Sequence, residues 1–162
     1  MEHFLLWLHL LSLAGYVGAT LALVLVILPA TERLESHQER LSMLTSTLAR
    51  LNPLIIGVLG VLIMSGAFGL TAYKAELGTE FFARVGEPLS QKLILVFILI
   101  IGATYVVFGL AHRLVRMVEW GDPVSPEKLA SMISRMRSAS IVNLALAAWI
   151  TWVALGIPGG TP

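Results

Sequence analysis

FLLWLHLLSLAGYVGATLALVLVIL, residues 4–28, contains no Asp, Glu, Lys or Arg and is closed by Pro29. A helix needs about 20 apolar residues to cross the hydrocarbon core of a bilayer, and this stretch exceeds that length. Three further stretches qualify: Pro53 to Tyr73, Leu89 to Ala111 with Lys92 as its one charge, and Ala139 to Ile157, closed by Pro158 and a Gly-rich tail. No other apolar run is long enough. The reading is an all-α, integral membrane four-helix bundle, with residues 1–162 forming one transmembrane domain.

Composition agrees. Apolar residues make up 57% of the chain and charged residues 13%, with a mean hydropathy of +0.84. Soluble domains carry about 25% charge, and this chain has too little polar surface to cover a water-facing globule. The formal charge is +1. No basic stripe with interleaved aromatics is present, so nucleic acid is not an expected partner; the lipid bilayer is. The chain has no cysteine, which excludes disulfides, thiolate metal sites, Cys nucleophiles and covalent c-type haem attachment. The first span is read as retained rather than cleaved. Glu2 stands where a signal peptide carries basic residues, and the apolar run exceeds the usual h-region of about 7–15 residues.

Lys and Arg in short loops orient such a chain. Loop one carries Arg33, Arg40 and Arg50; loop three and its flanks carry Arg113, Arg116, Lys128, Arg135 and Arg137; the other side has Lys74, Arg84 and Lys92. Loops one and three are therefore expected in the cytoplasm, with both termini outside, in a bacterial cytoplasmic (inner) membrane. Trp7, Tyr73, Trp149 and Trp152 then fall toward the outer interface and Trp120 just beyond the inner one.

The loops are themselves patterned. Leu34, Leu41, Leu44, Leu48 and Leu51 form a helical apolar stripe, so loop one is expected to be a cytoplasmic extension of the neighbouring span, with a kink at Asn52-Pro53. Gly121-Asp122-Pro123 reads as a turn. Ser125-Pro126-Glu127 reads as an N-cap, a first-turn Pro and a first-turn acid, opening a helix through Leu129, Met132, Ile133 and Met136 into span four. Loop two, with Gly78 and Phe81-Phe82, is expected as an outer interfacial segment. Small residues mark packing faces: Ser12, Gly15, Ala19 and Ala22 in span one; Gly57, Gly60, Gly66 and Gly69 in span two; Gly102 and Gly109 in span three; Ser140, Asn143, Ala147, Thr151 and Ala154 in span four.

Polar groups inside spans are costly and mark candidate sites. His9 lies about 7–8 Å below the start of span one, at about 1.5 Å per residue. It is either a haem or metal ligand or a histidine hydrogen-bonded to a neighbouring helix or interfacial water. Lys92, at similar depth in span three, either snorkels to the interface or holds a propionate, a substrate carboxylate or iron. Tyr16 follows His9 on the same face. His112 shares a face with Gly102, Tyr105 and Gly109, which either make room for a flat macrocycle or simply pack. His37 sits on the loop-one seam, where it faces the bundle and could pair with His112. No HExxH, Gly-rich phosphate loop or G-x-S-x-G is present. No acidic residue lies inside a span, which argues against a proton-pumping relay, and no Met or His ladder suits copper transport.

Several short motifs carry a resemblance. Leu6-Trp7-Leu8-His9-Leu10-Leu11 with Gly15 and Gly18, Arg50 to Pro53 followed by a span ending Ser65-Gly66, Gln91-Lys92-Leu93, and Arg137-Ser138 with Asn143-Leu144 resemble the copper resistance protein D-like membrane family across most of the chain. The pattern is also similar to HemJ-type protoporphyrinogen oxidases, in which a first-helix His and a third-helix Lys are implicated in haem binding. That resemblance implies such roles for His9 and Lys92. HemJ-type chains have Pro-Arg and then Tyr-His after the first helix. Here Ala30-Thr31 follow Pro29, and Ser36 precedes His37, which counts against the oxidase.

The expectation is a b-type haem-binding protein in electron transfer, alone or as a subunit of a respiratory membrane complex. His9 would be the iron ligand, Lys92 the sixth ligand or propionate partner, Tyr16 a pocket wall, and His112 a further cofactor-binding candidate. The alternatives are a HemJ-like oxidase, a copper-uptake protein using His9, and a cofactor-free structural subunit held to other subunits by helix packing.

Overall fold

A computed structural model of the protein describes residues 2–155. The expected end of span four at Ile157, Pro158 and the side chain of Arg84 lie outside the described residues. Helix α1 (Glu2–Ala22) passes through a π-helical turn (Leu23–Ile27) into α2 (Leu28–Glu32). Helix α3 (His37–Leu77) is followed by a 3-10 turn (Gly78–Glu80) and α4 (Phe81–Thr104). A second π-helical stretch (Tyr105–His112) joins α4 to α5 (Arg113–Glu119), and α6 (Pro126–Leu155) completes the described chain. Four of the resulting rods are long and apolar enough to cross a membrane.

The patterned loops are helical. Loop one shrinks to residues 33–36, where the Arg40 side chain donates to the Leu34 carbonyl at 2.6 Å. Beyond it, α3 runs unbroken for 41 residues, about 60 Å at the α-helical rise and twice the hydrocarbon thickness. Leu41, Leu44 and Leu48 of the expected stripe are buried, and Leu34 and Leu51 are half-buried. The helix continues through Pro53, which removes one backbone donor.

The turn after α5 is a Schellman cap. The Asp122 N–H reaches the Met117 carbonyl at 2.8 Å and the Gly121 N–H the Val118 carbonyl at 3.1 Å, with Gly121 at φ 76°, the left-handed position that favours glycine. Ser125 then caps α6: its Oγ accepts from the Lys128 N–H at 3.3 Å.

Loop two differs from expectation. The turn is only Gly78–Glu80, and α4 begins at Phe81, eight residues before Leu89. Gly86 and Pro88 look like loop residues, but the helix continues through them. Phe81 anchors its start, buried edge-on to Tyr73 at 6.1 Å and Phe82 at 5.2 Å.

The tightest packing lies at the end bearing residues 33–36 and 120–125. Leu28, Leu44, Leu48, Leu114 and Met136 are fully buried there, with Leu129, Met132 and Ile133. Arg137 pairs with Glu32 at 2.5 Å across the same end. Toward the N-terminal end the rods form pairs, α1 along α3 and α4 along α6. Between Phe81 and Leu99 no described residue of α4 is buried. Side chains such as Phe97, Trp149 and Trp152 point outward, the apolar belt a lipid-facing surface requires.

Leu44→Ala should therefore lower the stability measured by unfolding in mild detergent by about 2–5 kcal/mol. Phe97→Ala, at a side chain 63% exposed, should change it by less than about 1 kcal/mol. A smaller pH effect follows at the start of α6. The Glu127 carboxylate accepts from its own backbone N–H and from the Ser125 hydroxyl, with His37 nearby, and its pKa is held below the ordinary carboxylate value. Its contribution is present above the ordinary carboxylate pKa and is lost as pH falls through the depressed one. Glu127→Gln should remove that part of the acid limb from a plot of stability against pH.

Candidate functional site

His9 is held by α3. Its Nδ1 lies 3.1 Å from the Leu62 carbonyl oxygen and 3.0 Å from Ser65 Oγ. The Ser65 hydroxyl is itself within donating distance of the Val61 carbonyl, 2.7 Å, and the Leu62 carbonyl, 3.1 Å. A carbonyl can only accept, so the Leu62 contact requires the proton on Nδ1. In the neutral ring Nε2 then carries the lone pair. That is the tautomer of a metal-ligating imidazole whose second nitrogen donates to a backbone carbonyl. The hydrogen-bonded and ligand readings of His9 are thus compatible, because they use different nitrogens.

Gly66 makes the approach possible. A Cβ there would stand 3.1 Å from His9 Cε1 and 3.5 Å from Nδ1. Lower down, a Cβ on Gly15 would meet Val58 at 3.4 Å. These two glycines let α1 and α3 close on each other, and Ser65-Gly66 forms the seat for the imidazole. Gly18, Gly57, Gly60 and Gly69 face open space. Gly57 and Gly60 line an apolar groove of about 430 Å³ between α1 and α3, with Leu5, Leu8 and Met64.

Lys92, half-buried on α4, is close enough to His9 for its charge to be felt there. The two residues therefore border the N-terminal end from different helix pairs. Tyr16 lies deeper and is 2% exposed. With Thr20 and with Asn143 of α6 it lines a small cavity, and its ring packs among Ile55, Leu99, Ala103, Val107 and Ala147. A Cβ on Gly102 would collide with Asn143 Oδ1, so Gly102 makes room for that amide.

His112 stands apart. It is exposed, edge-on to Phe108 at 6.2 Å, and twenty residues from Lys92, about 30 Å along the rod. Of its expected face, Gly109 and Tyr105 lie together, whereas Gly102 faces Asn143, and the stretch from Tyr105 to His112 is π-helical, with a different angular step. His37 is bound elsewhere, its Nε2 2.8 Å from the Val124 carbonyl. Among the described residues no group of three or more His, Cys, Asp or Glu side chains is placed to hold a metal.

For a haem, the donor set fits one axial imidazole with an oriented ring, a cation beside it and apolar helix faces around it. The sequence singles out His9, Lys92 and Tyr16 as candidates. It misses the carbonyl of Leu62, to which a backbone contact gives no side-chain signal.

Glycine substitutions test the geometry. Gly57→Ala should stabilise the protein by about 0.4–1 kcal/mol, since the added methyl meets nothing and the unfolded chain loses freedom. Gly66→Ala should destabilise it by about 1–3 kcal/mol, and Gly102→Ala by at least as much, as read from unfolding in one detergent. Comparison with known proteins finds no matching family model, no matching curated protein and no matching solved structure.

Proposed function

We propose that the chain is a b-type haem-binding membrane protein that carries electrons, with His9 as an axial ligand. The observation carrying this reading is the Nδ1 contact of His9 with the Leu62 carbonyl, which leaves Nε2 as the donor. Bound haem would supply a one-electron iron couple. The chain's own residues do the rest. The Leu62 carbonyl and Ser65 fix the plane and tautomer of the imidazole. Lys92 would hold the group through a propionate or as a second iron ligand. The Tyr16 ring and the apolar faces around it would wall the site from bulk solvent, and burial of this kind tunes the potential.

The arrangement in the membrane belongs to the same proposal. The Arg-rich ends near residues 33–50 and 113–137 favour a cytoplasmic position under the positive-inside rule. His9 and Lys92 then lie toward the outer face of a bacterial inner membrane, both termini are outside, and the helices extend into the cytoplasm as one four-helix bundle. An outer-side haem suits a subunit exchanging electrons with a partner in a respiratory complex.

The test is a reduced-minus-oxidised visible spectrum of the purified protein, expressed with haem supplied. Wild type should show a haem b spectrum, and folded His9→Ala should lose it. A colourless, folded wild type would overturn the proposal. Lys92→Arg should retain the spectrum if Lys92 acts by charge and shift it if Lys92 ligates iron.

A further inference from the structure

A second polar site lies deeper in the same bundle and does not depend on haem. Tyr16 and Thr20 of α1, Ser140 and Asn143 of α6, and Val106 and Val107 of the third rod surround a cavity of about 10 Å³. That is at the size that admits one water. Leu23, Ile55 and Ala103 complete its walls.

The Ser140 hydroxyl is the informative group. Ser140 is 1% exposed, and among the described residues its Oγ is the buried side-chain polar atom without a protein partner. Other helical hydroxyls here return to their own backbone four residues earlier: Thr20 to Tyr16, Thr45 to Leu41, Ser65 to Val61 and Thr151 to Ala147, all at 2.7–2.9 Å. Ser140 makes no such bond and lines the cavity instead. A buried hydroxyl without a partner is costly, most of all where the surroundings are hydrocarbon. Tyr16, Thr20 and Asn143 line the same space, so an occupant beside Ser140 Oγ lies among polar residues of α1 and α6. Buried waters typically make two to four hydrogen bonds. Both π-helical stretches contribute wall residues, Leu23 from one and Val106 and Val107 from the other. Such turns open the regular backbone ladder and are frequent at functional sites.

We propose that this chamber is a binding site for a single structural water, held by Ser140 Oγ with Tyr16 and Asn143, that ties α1 to α6 at the middle of the bundle. The lining carries no charge, so the ligand is a neutral donor-acceptor. Anything larger than water would have to push the walls apart.

The site is tested on the full-length protein in lipid nanodiscs. A water-to-protein nuclear Overhauser cross-peak to the Ser140 side chain is expected in wild type, at a depth where lipid excludes bulk water. Its absence would overturn the proposal. The sign of a substitution gives a second readout. With a bound water, Ser140→Ala lowers Tm, and its effect shrinks in a Tyr16→Phe background because both residues share the same ligand. With a dry chamber, Ser140→Ala removes an unpaired hydroxyl and raises Tm, which would equally overturn it.

Discussion

The structure depends on the apolar core at the end bearing residues 33–36 and 120–125, where Leu28, Leu44, Leu48, Leu114 and Met136 are completely enclosed. Helices in a bilayer gain little from burying leucine against leucine, because lipid tails are equally apolar; an enclosed leucine core gains most where water borders it. The length of α3, the Schellman cap at Gly121 and the Ser125 cap of α6 all serve to bring these side chains together. With that end fixed, the other half can afford sparse contacts and polar groups.

The consequence is a division of labour along the bundle. Toward the N-terminal end the rods separate into pairs. Within one pair, Gly66 and Gly15 allow α1 and α3 to come close enough for His9 to reach a backbone carbonyl. Across the pairs stands Lys92. In the middle, Tyr16 of α1 and Asn143 of α6 line a water-sized space. His9 is paired and Ser140 lies among other polar residues, as a low-dielectric setting demands.

Much of this was legible in the sequence. Long apolar runs, three of them charge-free and one holding only Lys92, marked the four helices, and the leucine spacing from Leu34 to Leu51 showed that loop one continues as helix. Ser125-Pro126-Glu127 marked the start of α6. The beginning of α4 was hidden because the stretch with Gly78 and Phe81-Phe82 read as an interfacial segment, while the anchoring contact of Phe81 with Tyr73 is tertiary. His9, Lys92 and Tyr16 stood out as polar groups in apolar surroundings. Glycine spacing was less informative: Gly66 and Gly102 meet polar side chains, but Gly57 and Gly60 line an open groove, because which face a glycine presents depends on helix rotation. No residue pattern announced the π-helical stretch from Tyr105 to His112.

The central claim is that α3 fixes His9 as the Nδ1–H tautomer and leaves Nε2 as the free donor. Solid-state nitrogen-15 NMR of the imidazole, in apoprotein labelled at histidine and assigned by His9→Gln, reads this directly in lipid. The account predicts a protonated Nδ1 and a bare Nε2 for His9 near neutral pH. A protonated Nε2 with a bare Nδ1 would contradict it, because the carbonyl contact and the free ligating nitrogen would both be lost.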